Sequence, residues 1–153
     1  MSSSADRLPY VDEHSALVEA GATVTWEALL RVAEGSVSSG AAPHFARLVG
    51  CDDLEASGPR PLAEGSAVPG FHVATADAPR QLALVGGHRF SDYALVFHLD
   101  DLGSGRTRVR AETRAEFPGL KGSAYRAMVI GTRMHVLVTR RMLSAVKRRA
   151  ERA

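Results

Sequence analysis

Cysteine is almost absent from this chain. Cys51 stands alone, which excludes an internal disulfide framework and a cysteine metal cluster. Histidine is commoner, with six residues, but no His-x-His or His-x3-His pair sets two imidazoles at ligand spacing, so no metal is expected. Long apolar runs are missing as well. None approaches the ~20 residues that span a bilayer, and Met1 to Pro9 is polar with no signal-peptide core. The chain therefore reads as cytoplasmic, without membrane insertion. Aromatic residues make up only 6% and are not interleaved with basic ones, which argues against nucleic-acid binding. Gly86-Gly87 and Gly103-Ser104-Gly105 lack a Walker or dinucleotide pattern, and no Gly-x-Ser-x-Gly elbow is present, so nucleotide-binding and serine-hydrolase chemistry are not expected.

What is present is the material of one small domain. The chain has 153 residues, of which 45% are hydrophobic, enough for a single core. The net charge of +2 is a surplus concentrated in Arg140, Arg141, Lys147, Arg148, Arg149 and Arg152. Such a cluster suits a solvated helix end that complements the helix dipole. Residues 1 to 12, rich in Ser and Asp, read as a flexible leader, and residues 13 to 150 as the domain.

A strand fits His14 to Ala20. Thr23 is a candidate N-cap for a helix to about Glu34, carrying Trp26, Leu29, Leu30 and Val32. Gly35 to Gly40 reads as a Gly/Ser loop, and Pro43 to Val49 as a second short helix. Four strands then follow at meander spacing: Ser66 to Ala76, Gln81 to Arg89, Asp92 to Asp100 and Arg106 to Phe117. In the last, Arg106, Arg108, Arg110, Glu112, Arg114 and Glu116 alternate with Thr107, Val109, Ala111, Thr113, Ala115 and Phe117. That period-two pattern defines a sheet with one wet face and one dry face. The dry face needs a cover, and residues from about Gly122 to Arg149 supply one long helix. Its face bearing Tyr125, Met128, Thr132, Val136, Thr139, Met142, Leu143 and Val146, with His135 alongside, should cross the sheet, opposite a stripe of Arg126, Arg133, Arg140 and Lys147.

The architecture is thus α+β: a strand, two short helices, a curved antiparallel sheet and a long C-terminal helix held against it. In this order, and in the runs Gly87-His88-Arg89-Phe90-Ser91-Asp92-Tyr93-Ala94-Leu95, Ala111 to Gly119 and Tyr125-Arg126, the chain resembles the SRPBCC or START-like superfamily. That helix-grip group unites START-type lipid-transfer domains, birch-pollen-allergen-type proteins and bacterial aromatase/cyclases of the polyketide cyclase kind. The runs are similar to those of small actinobacterial-type members. The resemblance implies the helix-grip fold and the binding of a small apolar ligand, with no cofactor. No catalytic set of the cyclases matches residue by residue.

The dry face should present Phe71, Val73 and Thr75, then Leu82, Leu84 and His88, then Tyr93, Leu95, Phe97 and Leu99. An apolar cavity with a few polar groups is how small-molecule sites are built. The candidate ligand-binding residues are His88, Tyr93, Phe97, Thr113, Tyr125, Met128, Thr132 and His135. His135 can act as a general acid or base, or donate to a ligand carbonyl. It can equally be a structural histidine bonded to a backbone carbonyl, Glu112 or Glu116. His88 suits a pocket mouth or an ordinary turn, with Gly86-Gly87 as a bulge that bends the sheet. Tyr93 and Tyr125 can orient a ligand oxygen or simply pack. Arg89 or Arg126 can pair with Glu112.

Three functions follow. The first is a carrier or sensor of an apolar molecule. The second is a cofactor-free cyclase, dehydratase or isomerase on a polyketide-like substrate, with His135 and Tyr125 as candidate catalytic residues. The third is an interaction protein with a vestigial groove, in which Ile130, Met134 and Leu137 form a homodimer or partner surface.

Overall fold

A computed structural model describes residues 4–38, 50, 56–129 and 133–153. Six strands form one antiparallel sheet in the order β1-β6-β5-β4-β3-β2. They are β1 (Tyr10–Val18), β2 (Ala67–Val68), β3 (Phe71–Asp77), β4 (Gln81–His88), β5 (Ser91–Gly103) and β6 (Arg106–Glu116). The described helices are α1 (Ala22–Ser38), α2 (Gly119–Val129) and α3 (Met134–Arg152). The helix expected at 43 to 49 lies outside the described residues.

The alternation in β6 does what its pattern requires. Thr107, Val109, Ala111 and Ala115 are buried while Arg106, Arg108 and Glu116 are exposed. Paired residues of an antiparallel ladder share a face, so the inner face runs across the sheet in rows. Val73, Leu84, Leu95 and Thr113 form one row, and Ala76, Leu82, Phe97 and Ala111 the next. Trp26, Leu29, Leu30 and Ala33 of α1 and Met142, Leu143, Val146 and Ala150 of α3 close over that face in one core. A fully buried Leu or Phe in such a layer contributes roughly 1.5–3 kcal/mol. On the outer face, Arg110 grips Asp100 at 2.7 and 3.2 Å and approaches Glu13 at 3.5 Å. Glu112 is also outside, paired with Arg114 and with His98 at 3.2 Å, so its partner is neither Arg89 nor Arg126.

Several expectations are corrected. The leader is structured from Ser4: residues Ser4–Arg7 make a 3-10 turn and β1 begins at Tyr10. Ala5 packs with Ala83, Ala94 and Val96, and Arg114 donates to the Leu8 carbonyl at 3.0 Å. Small apolar residues on the outer face thus gain a cover that the strict wet-and-dry picture lacked. The first helix starts at Ala22, where Thr25 Oγ1 donates back to the Gly21 carbonyl at 2.9 Å, and runs past Gly35 to Ser38. A bulge in β3 sets Thr75 opposite Ala83 and Ala76 opposite Leu82, so Ala76, not Thr75, faces the core. Gly86 and Gly87 pair with Tyr93 and Asp92 in unbroken register and make no bulge.

The C-terminal helix is two helices. Arg133 has φ 57° and ψ 25°, the left-handed region, where a helix cannot continue. The basic stripe is therefore interrupted at Arg133. Within α3 the buried positions are Thr139, Met142, Leu143, Val146 and Ala150, the helical spacing expected for the covering face.

Candidate ligand site

A single extra residue creates the polar part of the site. Tyr10 lies opposite Arg114, and regular pairing would then set Asp12 opposite Glu112 on the outer face. A bulge between Tyr10 and Asp12 instead sets Asp12 opposite Thr113 and His14 opposite Ala111. One residue of slip flips side chains to the other face. Asp12 and His14 are thereby turned inward, extending the rows that hold Thr113 and Ala111.

His135, in the first turn of α3, meets them there. Its Nε2 lies 2.7 Å from Asp12 Oδ2, and His14 Nε2 lies 3.1 Å from the same oxygen. The side chains of His135, His14 and Asp12 are 13%, 20% and 25% exposed. Burial pushes the Asp12 carboxyl up, but hydrogen bonds from His135 and His14, with their charge, outweigh it and hold the group below its ordinary value. Asp12 is thus an ionised acceptor at neutral pH, and both imidazoles donate through Nε2. Two buried atoms of this cluster, Asp12 Oδ1 and His135 Nδ1, have no hydrogen-bond partner among the described residues. His135 is therefore bonded to a carboxylate, but to Asp12 rather than Glu112 or Glu116. Among the described residues no group of His, Cys, Asp and Glu is placed to hold a metal ion.

A second cluster gathers at the β4–β5 end. Tyr125 of α2 stands edge-on to His88 at 4.6 Å between ring centroids and stacks on Phe90 at 5.7 Å. Tyr93 packs against His88 at 5.5 Å and Phe71 at 5.1 Å, and Phe117 lies 6.3 Å from Tyr125. The Tyr93 hydroxyl donates to the Gly70 carbonyl at 2.6 Å, and His88 Nδ1 accepts from the Phe90 amide at 3.1 Å. Gly86 makes this possible, since a Cβ there would stand 2.1 Å from the Gly70 carbonyl and 2.6 Å from the Tyr93 ring.

The structure thus brings His88, Tyr93 and Tyr125 together, and sets Thr113 opposite Asp12 in the ladder with His135 bonded to that Asp12. Phe97 is fully buried in the core, one row from Thr113. Met128 is 48% exposed on α2. Thr132 and Ile130 lie outside the described residues, and Leu137 is 52% exposed. Tyr93 and Asp12 sit two strand spacings and two residues apart, about 12 Å, with the phenol committed to Gly70 on the far side. Sequence reasoning missed Asp12 and His14 because they fall at a bulge; Asp12 also lies in the segment assigned to the leader. The grooves of 390 and 510 Å³ that share Arg31 and Arg149 lie at the other end of α3, some 20 Å along the helix from His135.

No family model matches the chain, and no curated protein matches it in sequence. Solved structures do match. The Zhui aromatase/cyclase from Streptomyces sp. R1128 is similar with a TM-score of 0.58 at 17% identity, covering 95% of each chain. Norcoclaurine synthase from Thalictrum flavum, as a point mutant in complex with a transition state analogue, matches with a TM-score of 0.56 at 14% identity, over 94% of this chain and 97% of that one. The di-domain aromatase/cyclase BexL gives 0.51 at 14% identity, over 92% of this chain and 46% of that one. No described helix is long and apolar enough to cross a membrane. With its curved six-stranded antiparallel sheet closed by α1 and the C-terminal helices, the chain has the α+β helix-grip fold of these proteins.

Proposed function

We propose that the protein binds a small, mainly apolar molecule between the inner face of the sheet and the C-terminal helices, as a carrier or sensor. One observation carries this reading: Asp12 Oδ1 and His135 Nδ1 are buried yet unpartnered among the described residues, beside rows of Leu, Val and Thr. A buried polar atom left unsatisfied costs about 1–3 kcal/mol, and such atoms mark places where something else completes the bonding. The similar folds include an aromatase/cyclase and a synthase bound to a transition state analogue, so the architecture accommodates small molecules, although fold alone does not assign an activity.

Native mass spectrometry of the freshly purified protein, followed by denaturing extraction, tests the reading. A co-purifying apolar molecule, lost in a folded Thr113→Trp variant, supports it and identifies the ligand class. A protein that is isolated empty and refuses a broad set of aromatic probes overturns it.

A second reading, proton transfer in a cofactor-free cyclase, dehydratase or isomerase, is favoured by the Asp12–His135 geometry. A carboxylate on one imidazole nitrogen orients the ring and leaves the other nitrogen free to take a proton. Turnover of a bound molecule that disappears in His135→Gln while binding persists supports this reading. Extraction of the ligand chemically unchanged after prolonged incubation opposes it.

A further inference from the structure

One of the two unpartnered atoms, Asp12 Oδ1, restricts what can meet the pair. Asp12 is ionised, so Oδ1 only accepts hydrogen bonds. Its Oδ2 faces His135 Nε2 at 2.7 Å and His14 Nε2 at 3.1 Å, which places a hydrogen on each of those nitrogens. The other ring nitrogen of His135, Nδ1, can meet either the hydrogen or the oxygen of a hydroxyl, according to whether it carries a hydrogen itself. Both Asp12 Oδ1 and His135 Nδ1 are buried and without a partner among the described residues. A ketone or an ether has no hydrogen to offer Asp12 Oδ1, whereas a hydroxyl does. The surroundings suit an apolar body, because the row through Asp12 continues along the inner face as Thr113, Leu95, Leu84 and Val73.

We propose that Asp12 and His135 form a hydroxyl-selective subsite. It accepts a phenol or alcohol on an apolar skeleton and discriminates against analogues whose only oxygen is a carbonyl or ether. The proposal rests on the binding reading above and goes beyond it by naming the functional group that is recognised. A charge-assisted bond made by one analogue and lost by the other corresponds to roughly tenfold or more in affinity.

The test uses two probes of one shape, 2-naphthol and 2-methoxynaphthalene, titrated into the full chain and followed by their own fluorescence. Wild type should bind the naphthol about tenfold more tightly than the ether. Asp12→Asn places an amide donor where a carboxylate acceptor stood, so it should erase most of that preference with the circular dichroism spectrum unchanged. Equal affinities of wild type for the two probes overturn the proposal while leaving the binding reading in place; the two atoms are then served by bound water. Failure of both probes to bind saturably overturns the proposal together with the binding reading. A naphthol preference that survives in folded Asp12→Asn and His135→Phe variants overturns the assignment to this pair. The wild-type comparison stands whether or not a variant folds.

Discussion

Replacing Asp12 with Ala removes the group that ties β1 to the start of α3. Two charge-assisted hydrogen bonds are lost, from His135 at 2.7 Å and His14 at 3.1 Å. Each contributes about 1.5–3 kcal/mol when largely shielded from water. The unpartnered Oδ1 is removed as well, which returns about 1–3 kcal/mol of its desolvation cost, so the net loss should be about 2–3 kcal/mol. In a domain of this length that lowers Tm by roughly 4–12 °C. Urea unfolding of wild type, Asp12→Ala, His135→Phe and the double variant measures both the loss and the coupling, which should be about 1–2 kcal/mol. The loss should shrink in acid. The folded-state pKa of Asp12 is depressed, so its contribution is fully present above the unfolded value near 4 and fades as pH falls through the lower folded value. A loss under about 0.5 kcal/mol at pH 7, the range of an ordinary surface substitution, would refute the reasoning. So would strict additivity of the two single variants.

Three further outcomes follow from the packing. Deleting residues 1 to 8 should cost about 2 kcal/mol in urea unfolding, because Ala5 and Leu8 leave the patch formed by Ala83, Val85, Ala94 and Val96; unchanged stability would restore the loose leader. Gly86→Ala should destabilise by more than about 2 kcal/mol, since the new methyl would meet the Gly70 carbonyl at 2.1 Å. Adding Tyr93→Ala should not rescue it, because the backbone carbonyl stays in place. Asp100→Asn should cost under about 1 kcal/mol and the effect should shrink in 1 M salt, because Asp100 and Arg110 are 39% and 32% exposed; a larger, salt-insensitive loss would contradict a solvated outer face.

What could be read from the chain, and what could not, follows from the range of the forces involved. The alternation of β6 and the glycine and proline punctuation around β4 and β5 are local signals, and they placed those strands within a few residues, whereas the single strand expected at Ser66 to Ala76 is the antiparallel pair β2 and β3. The covering face of α3 was legible because Thr139, Met142, Leu143 and Val146 repeat at helical spacing. The α2–α3 break was not legible, because Arg133 adopts a left-handed conformation that an arginine does not announce. The bulge at Asp12 was hidden for a similar reason: pairing register depends on the partner strand a hundred residues away, and without it Asp12 and His14 look like polar residues beside a leader. His135 was singled out from its position on the helix, but its partner was sought on β6 when it lies on β1. His88, Tyr93 and Tyr125 were found as residues, and their ring cluster with Phe90 and Phe117 emerged only once the β4–β5 end met α2.

The central claim is that His135, held by Asp12 through Nε2, presents Nδ1 to a hydroxyl-bearing ligand. Imidazole nitrogen NMR on the ¹⁵N-histidine-labelled protein tests it directly, because each of the six histidines reports its own two nitrogens and a His135→Phe variant assigns the signal. The account predicts a His135 with hydrogen on Nε2 whose Nδ1 resonance moves saturably as 2-naphthol is added, while His98 on the outer face stays fixed. A His135 signal that carries its hydrogen on Nδ1 alone, or that does not move while the naphthol binds, would contradict it.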